Sequence, residues 1–281
     1  MVRIITDTSS DLTVDEANAL GIILLPMTIN FGNESFLDRY ELSTSMFYDK
    51  LTTSNELPTT CQVNPFQFEE EIGKAREAND DIVIITLSSK LSGTYQSAVI
   101  ACNEYDKAYA IDSLTVAMSQ QCLVRYAVML RENGLDGKTI ADKLTDGVGK
   151  VKVIGLLDTL EYLKKGGRIS PTTAWAGALL NIKPVVTTDD GLVGILGKAR
   201  GSKNGNNMLN ELITKWGGAD TTLPIVLGYS GNDRKLLDQY MNDCKALVDI
   251  DIEKIPVSQI GSTIGTHVGP GAIAVGFFIN Q

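Results

Sequence analysis

The stretch Asp81-Ile82-Val83-Ile84-Ile85-Thr86-Leu87 is apolar at consecutive positions, so as a strand it buries both faces. Strands of that kind belong to parallel sheets covered by helices on each side, and the neighbouring sequence supplies the helices. Residues 2–6 form a short β-branched run, Asp7-Thr8-Ser9-Ser10-Asp11 offers turn and N-cap chemistry, and 14–20 reads as a helix. A loop at 58–65 leads to a helix over 66–78 with Pro65 in its first turn. Residues 88–93 read as a loop, 94–103 as a helix, 108–111 as a strand, and 117–132 and 137–149 as helices.

Beyond residue 150 the pattern changes. Strands are expected at 151–157, 183–188, 192–199, 225–229, 250–255 and 272–278, and helices at 159–165, 172–180, 202–216 and 233–247. Asp189-Asp190-Gly191 between two strand-like runs predicts a hairpin, hence antiparallel pairing in this half. The expectation is an α/β protein of two domains. Residues 1–150 would carry a mostly parallel sheet flanked by helices, 151–281 a mixed or antiparallel sheet with helices, and a ligand would lie between them.

Charge narrows the function. The 281 residues carry a net charge of −9, which argues against a general nucleic-acid binder. Residues 1–150 hold 12 Lys and Arg against 22 Asp and Glu, whereas 151–281 hold 13 against 12. The excess of base is concentrated at 159–215, a solvated face or a place for an anion or an acidic partner. A single histidine excludes a multi-His metal site, and the four cysteines form no Cys-x-x-Cys pair, so no metal or cofactor is expected. Apolar runs are too short to span a bilayer, and the first residues have no charged leader with a long apolar core; a cytoplasmic chain without stable membrane insertion is the expectation.

Three segments carry polar chemistry. Ser88 to Ser97 sits between a strand and a helix at the C-terminal edge of a parallel sheet, where ligands of such sheets bind. Free amides and the helix dipole favour an anion there; Ser92 either donates to it or caps the helix. Thr60, in a second hydroxyl-bearing loop, could face the same anion. Gly265-Thr266-His267-Val268-Gly269-Pro270-Gly271 places the only histidine in what reads as a glycine-rich loop, poorly suited to a core residue. A Ser92–His267 hydrolase with Asp7 or Asp112 is an alternative, although Ser92 is not in a Gly-x-Ser-x-Gly elbow.

Taken together, Asp7-Thr8-Ser9-Ser10-Asp11-Leu12, Thr60-Cys61-Gln62, Leu91-Ser92-Gly93-Thr94-Tyr95-Gln96, Leu163-Lys164-Lys165-Gly166-Gly167-Arg168-Ile169, Lys183-Pro184 and the Gly265–Gly271 segment resemble the DegV family in order and spacing along essentially the whole chain. The resemblance implies a lipid-binding protein, not itself catalytic, that holds a long-chain fatty acid of the palmitate or oleate class. It further implies the substrate-carrying subunit of bacterial fatty acid kinase, whose ATP-binding subunit phosphorylates the acid for phospholipid synthesis. By motif match, Thr60 and Ser92 would bind the carboxylate. Cys61, Gly93, Thr94, Thr266 and His267 would support that polar network, and Arg168 and Arg200 would face phosphate or the docked kinase subunit. The family usually has Ser where this chain has Cys61, a weaker donor.

Overall fold

The computed structural model describes residues 1–54, 56–103, 105–169, 181–244 and 252–280. The first half holds β1 (Val2–Asp7), α1 (Val14–Ala19), β2 (Ile22–Leu25), β3 (Thr28–Phe31), β4 (Glu34–Leu37), α2 (Thr44–Thr53), β5 (Thr59–Cys61), α3 (Pro65–Ala78), β6 (Asp81–Thr86), α4 (Thr94–Cys102), β7 (Ala108–Asp112), α5 (Ala117–Glu132) and α6 (Gly137–Val148). Strands β2-β1-β6-β7 form an all-parallel sheet in that order. Alternate residues of β6 serve opposite faces: Ile82 and Ile84 pack with Phe68, Ile72 and Ala98 of α3 and α4, and Val83 and Ile85 pack with Met118 and Leu123 of α5. The doubly apolar run is therefore buried on both sides, as its sequence requires. A separate antiparallel sheet, β4-β3-β5, was not legible as strands and carries Thr60 on its edge.

The second half holds β8 (Val151–Leu156), α7 (Glu161–Gly166), β9 (Ile182–Asp189), β10 (Leu192–Arg200), α8 (Gly201–Lys215), β11 (Val226–Tyr229), α9 (Lys235–Asp243), β12 (Val257–Gln259), α10 (Ser262–Val268) and β13 (Ile273–Phe278). Its sheet runs β10-β9-β8-β13-β11-β12, antiparallel except for the β11–β12 pair. The hairpin at Asp190-Gly191 forms with positive φ at both residues (45° and 79°), the geometry a tight two-residue turn needs. The fold class is thus α/β, with a parallel sheet and a small antiparallel one in the first half and a mixed sheet in the second. The helix expected over 172–180 lies outside the described residues, as does the end of the one expected over 233–247.

Two expectations are corrected. Of the strand expected at 250–255, Ile252–Lys254 is a 3₁₀ turn and the sheet pairing falls to β12. Residues three apart share a side in 3₁₀ geometry, so Ile252 and Ile255 both reach the core without a strand. The glycine-rich stretch around His267 is helix α10. Its Gly265 serves close packing: a Cβ there would lie 2.6 Å from Phe47 Cε1 and 2.8 Å from Tyr48 Oη of α2.

Helix α5 joins the two sheets. Eleven of its sixteen residues are buried, Ala117 to Val124 without a break and including polar Ser119, Gln120 and Gln121, so its first two turns are enclosed on all sides. Gln120 accepts from Ser9 Oγ (2.8 Å) and donates to Thr6 Oγ1 (3.2 Å) in the first half, while Gln121 Oε1 accepts from Ser258 Oγ (3.0 Å) in the second. Gly276 of β13 would place a Cβ 2.5 Å from Met118 O, so glycine lets helix and sheet approach this closely. One continuous hydrophobic core, from Ile4 through Met118 to Val153 and Phe278, crosses residue 150.

Candidate functional site

A cavity of about 320 Å³ opens where the two halves meet. Its mouth is polar and is assembled from three elements: Thr60 and Cys61 on β5, Ser92 and Gly93 on the turn between β6 and α4, and His267 on the last turn of α10, with Arg168 nearby. Below them the walls are carbon, from Leu87, Leu91 and Val116 of the first half and Leu163, Val193 and Ile264 of the second.

Ser92 sits where it does because β6 ends at the C-terminal edge of the parallel sheet and the chain turns into α4. Its Oγ lies 3.0 Å from Thr94 Oγ1 and accepts the Thr94 amide at 3.3 Å, so it both turns the chain and lines the cavity. Thr94 Oγ1 in turn accepts the Val63 amide (3.3 Å), tying this turn to the strand bearing Thr60. Thr60 Oγ1 is 3.3 Å from His267 Nε2. Burial, with a smaller contribution from Arg168, pulls the His267 pKa down to about 4, so the imidazole is neutral at pH 7. Its Nδ1 has no hydrogen-bond partner among the described residues, and it lies against Gly166, where any Cβ would overlap it. Gly166, the last residue of α7, thus leaves room for the histidine ring.

Cys61 is exposed, lines the mouth and accepts from Asn30 Nδ2 at 3.3 Å through its sulfur. Arg168 is exposed and donates to Gly166 O at 2.6 Å. Thr266 and Arg200 lie apart from the cavity lining. Thr266 is buried and its hydroxyl donates to Ser262 O one helical turn back (2.8 Å), because in a helix the side chain next to His267 points to another face. Arg200 is exposed at the β10–α8 junction and is not among the residues lining the cavity.

Sequence reasoning missed Gln62, which lines the mouth, donates to Ser97 Oγ (3.0 Å) and covers Gly93 so closely that a Cβ there would overlap its Oε1. The sequence marked it by its place in the Thr60-Cys61-Gln62 segment and by Gly93, a glycine that no positive φ explains. It also missed the role of the Asp7–Asp11 motif, which is wholly buried. Asp7 accepts the amides of Ser9 (3.0 Å) and Leu87 (3.0 Å) and the Gln120 side chain (3.3 Å), and burial raises its pKa against these bonds. Asp11 Oδ1 accepts the Gly261 amide at 2.7 Å just before α10 and meets Arg39 at 3.4 Å. The motif therefore clamps the halves together beside the cavity.

Ser92 and His267 do not assemble a hydrolytic triad with Asp7 or Asp112. Ser92 is bonded to Thr94, His267 Nε2 faces Thr60, Asp7 is engaged as above, and Asp112 accepts the amides of Ser89 and Leu114. Among the described residues no three His, Cys, Asp or Glu side chains gather as metal ligands, and no helix is long and apolar enough to cross a membrane.

The parallel sheet, the mixed sheet and the apolar cavity with a hydroxyl-lined mouth define an α/β protein built around an enclosed site between two sheets. The DegV family, itself described as uncharacterised, matches residues 1–280, and the chain belongs to it. A DegV domain-containing protein of Caldanaerobacter subterraneus subsp. tengcongensis is 32% identical over 280 residues, covering 98% of each chain. One from Halalkalibacterium halodurans is 31% identical over 286 residues, covering 100% of this chain and 99% of its own. Among solved structures, a DegV lipid-binding protein from Thermotoga maritima superposes with a TM-score of 0.87 at 26% identity, covering 100% of this chain and 99% of that one. A fatty-acid-binding DegV family protein from Thermus thermophilus gives 0.87 at 28% identity, with 99% of each chain covered.

Proposed function

We propose that this protein binds a long-chain fatty acid between residues 1–150 and 151–281, with the carboxylate at Thr60 and Ser92 and the tail along the apolar walls. The observation that carries this reading is a cavity whose mouth bears two neutral hydroxyls and whose depth is carbon, in a chain with fatty-acid-binding relatives. Burying about fourteen methylenes at ~0.8 kcal/mol each supplies roughly 11 kcal/mol before ordering costs, so the tail provides the affinity. The head group is then held by donors that leave its charge available. A buried bidentate arginine would pair that charge and weaken it as a nucleophile.

That arrangement suits a carboxylate presented to a second protein. The acid is handed in place to a separate ATP-dependent kinase subunit in the cytoplasm, which forms the acyl-phosphate used in phospholipid synthesis. Neutral His267 orients the Thr60 hydroxyl, Thr94 orients Ser92, and exposed Arg168 meets incoming phosphate or an acidic partner surface. In this reading the bond-breaking chemistry belongs to the kinase subunit.

Denaturing extraction and mass spectrometry of the purified protein test the binding: a stoichiometric long-chain acid is expected, and an empty protein that no such acid stabilises against heat would overturn it. The double variant Thr60→Ala, Ser92→Ala is expected to lose kinase-dependent phosphorylation of the acid by more than tenfold while still extracting with acid bound. Equal phosphorylation by parent and double variant would remove both hydroxyls from the head-group role.

A further inference from the structure

Five side chains, Val116, Leu163, Val193, Ile264 and Val268, line both the cavity beneath the mouth and a second one of about 60 Å³ behind it. They form a collar between the first space and a second, carbon-lined chamber. The chamber's far wall is the second sheet, where Gly155 of β8 is in register with Ala274 of β13 on one side and Val186 of β9 on the other. The polar atoms there are already paired: Thr187 Oγ1 donates to Val153 O (2.6 Å), and Thr188 Oγ1 lies 2.8 Å from Thr115 Oγ1. The chamber accordingly offers carbon to whatever enters and suits a terminal methyl.

A glycine inside a strand weakens it and calls for a reason. Gly228 and Gly276 have one, since Met118 of α5 occupies the space a side chain would take. Gly155, in the same row as Gly228 and Ala274, has no such occupant. A Cβ there would meet Ile273 O at 3.4 Å, Val186 Cγ2 at 3.5 Å and Leu157 Cδ2 at 4.0 Å, which are ordinary contacts, and its φ is not in the left-handed region. What the missing side chain leaves open is part of the chamber's wall.

We infer that Gly155, with Ala274 beside it, sets the greatest length of acyl chain that the cavity accepts; this rests on the fatty-acid reading above. A tail that fits reaches past the collar and ends against Gly155, and a longer one has no further space in a close-packed sheet. One methylene of misfit in an apolar pocket discriminates by roughly 10- to 200-fold.

The test uses delipidated full-length protein titrated with saturated acids from laurate to arachidate. In Gly155→Ala the affinity for stearate relative to myristate is expected to fall at least about tenfold, and further in Gly155→Val. Ala274→Val approaches the same space from the neighbouring strand, so it decides the matter if Gly155→Val does not fold, as judged by its melting in the absence of acid. Folded Gly155→Ala and Ala274→Val proteins that keep the parent's stearate-to-myristate ratio overturn the assignment while leaving fatty-acid binding intact. A parent protein that binds none of the series overturns the fatty-acid reading and this inference with it.

Discussion

Asp11 illustrates what burial does to one carboxyl group. Its pKa is raised to about 7, chiefly by loss of water, against the opposing charge of Arg39 and the Gly261 amide. Because the folded value lies above the ordinary 3.8, the proton bound by Asp11 stabilises the fold fully below about pH 4, and that stability is lost as pH rises to about 7. Asp11→Asn mimics the protonated form. Its urea-measured stability relative to the parent is therefore expected to improve between pH 4 and 7 and then level off, by up to roughly 4 kcal/mol; a pH-independent difference would show that Asp11 stays charged throughout. At the mouth, Gly166→Ala is expected to push the His267 ring away and cost about 1–3 kcal/mol, read as loss of urea stability together with a shift of the histidine ring resonances by NMR. Individual residues were legible in the sequence to the extent that local chemistry defines them. Thr60 and Ser92 stand out as hydroxyls before a helix or beside a turn, whereas Gln62 is marked by its place in the Thr60-Cys61-Gln62 segment and by the glycine it covers. Thr266 sits next to His267 in sequence, but helix geometry directs it to another face.

At the scale of elements, α5 shows how far periodicity carries. Its limits follow from the sequence, yet Ser119, Gln120 and Gln121 would place one side in solvent; only the presence of a second sheet explains why they are buried and paired. The contact is close enough that Gly276→Ala would collide with the α5 backbone at Met118. Its expected cost is about 3 kcal/mol or more, seen as a lowered urea midpoint with unchanged slope. Helix α10 was illegible for the opposite reason. Four glycines in eleven residues read as irregular backbone, but Gly265 is needed for the aromatic rings of α2, a partner more than two hundred residues away in sequence. The β4-β3-β5 sheet escaped notice because its strands are only three or four residues long, too short for an alternation to register.

On the scale of the whole molecule, the hydrophobic core that runs from Ile4 to Phe278 makes the two halves thermodynamically one body. Fragments 1–150 and 151–281 expressed separately are each expected to lack a cooperative thermal transition, while the intact chain melts in one step; two resolved transitions in the intact chain would show separate units. Reloading delipidated protein with palmitate at a hundred times its dissociation constant should add about 2.7 kcal/mol to that single transition. The alternation of strands and helices was enough to define the layers, but not that they share a helix, since sharing depends on contacts far apart in the chain. The mouth of the cavity has a practical side as well. Of the four cysteines only Cys61 is exposed, Cys102 being partly covered and Cys122 and Cys244 buried. A maleimide dye would label the protein at one place, beside Thr60 and Ser92, and its emission would report whether the cavity is filled, turning a sulfur atom at a binding site into an optical gauge of occupancy.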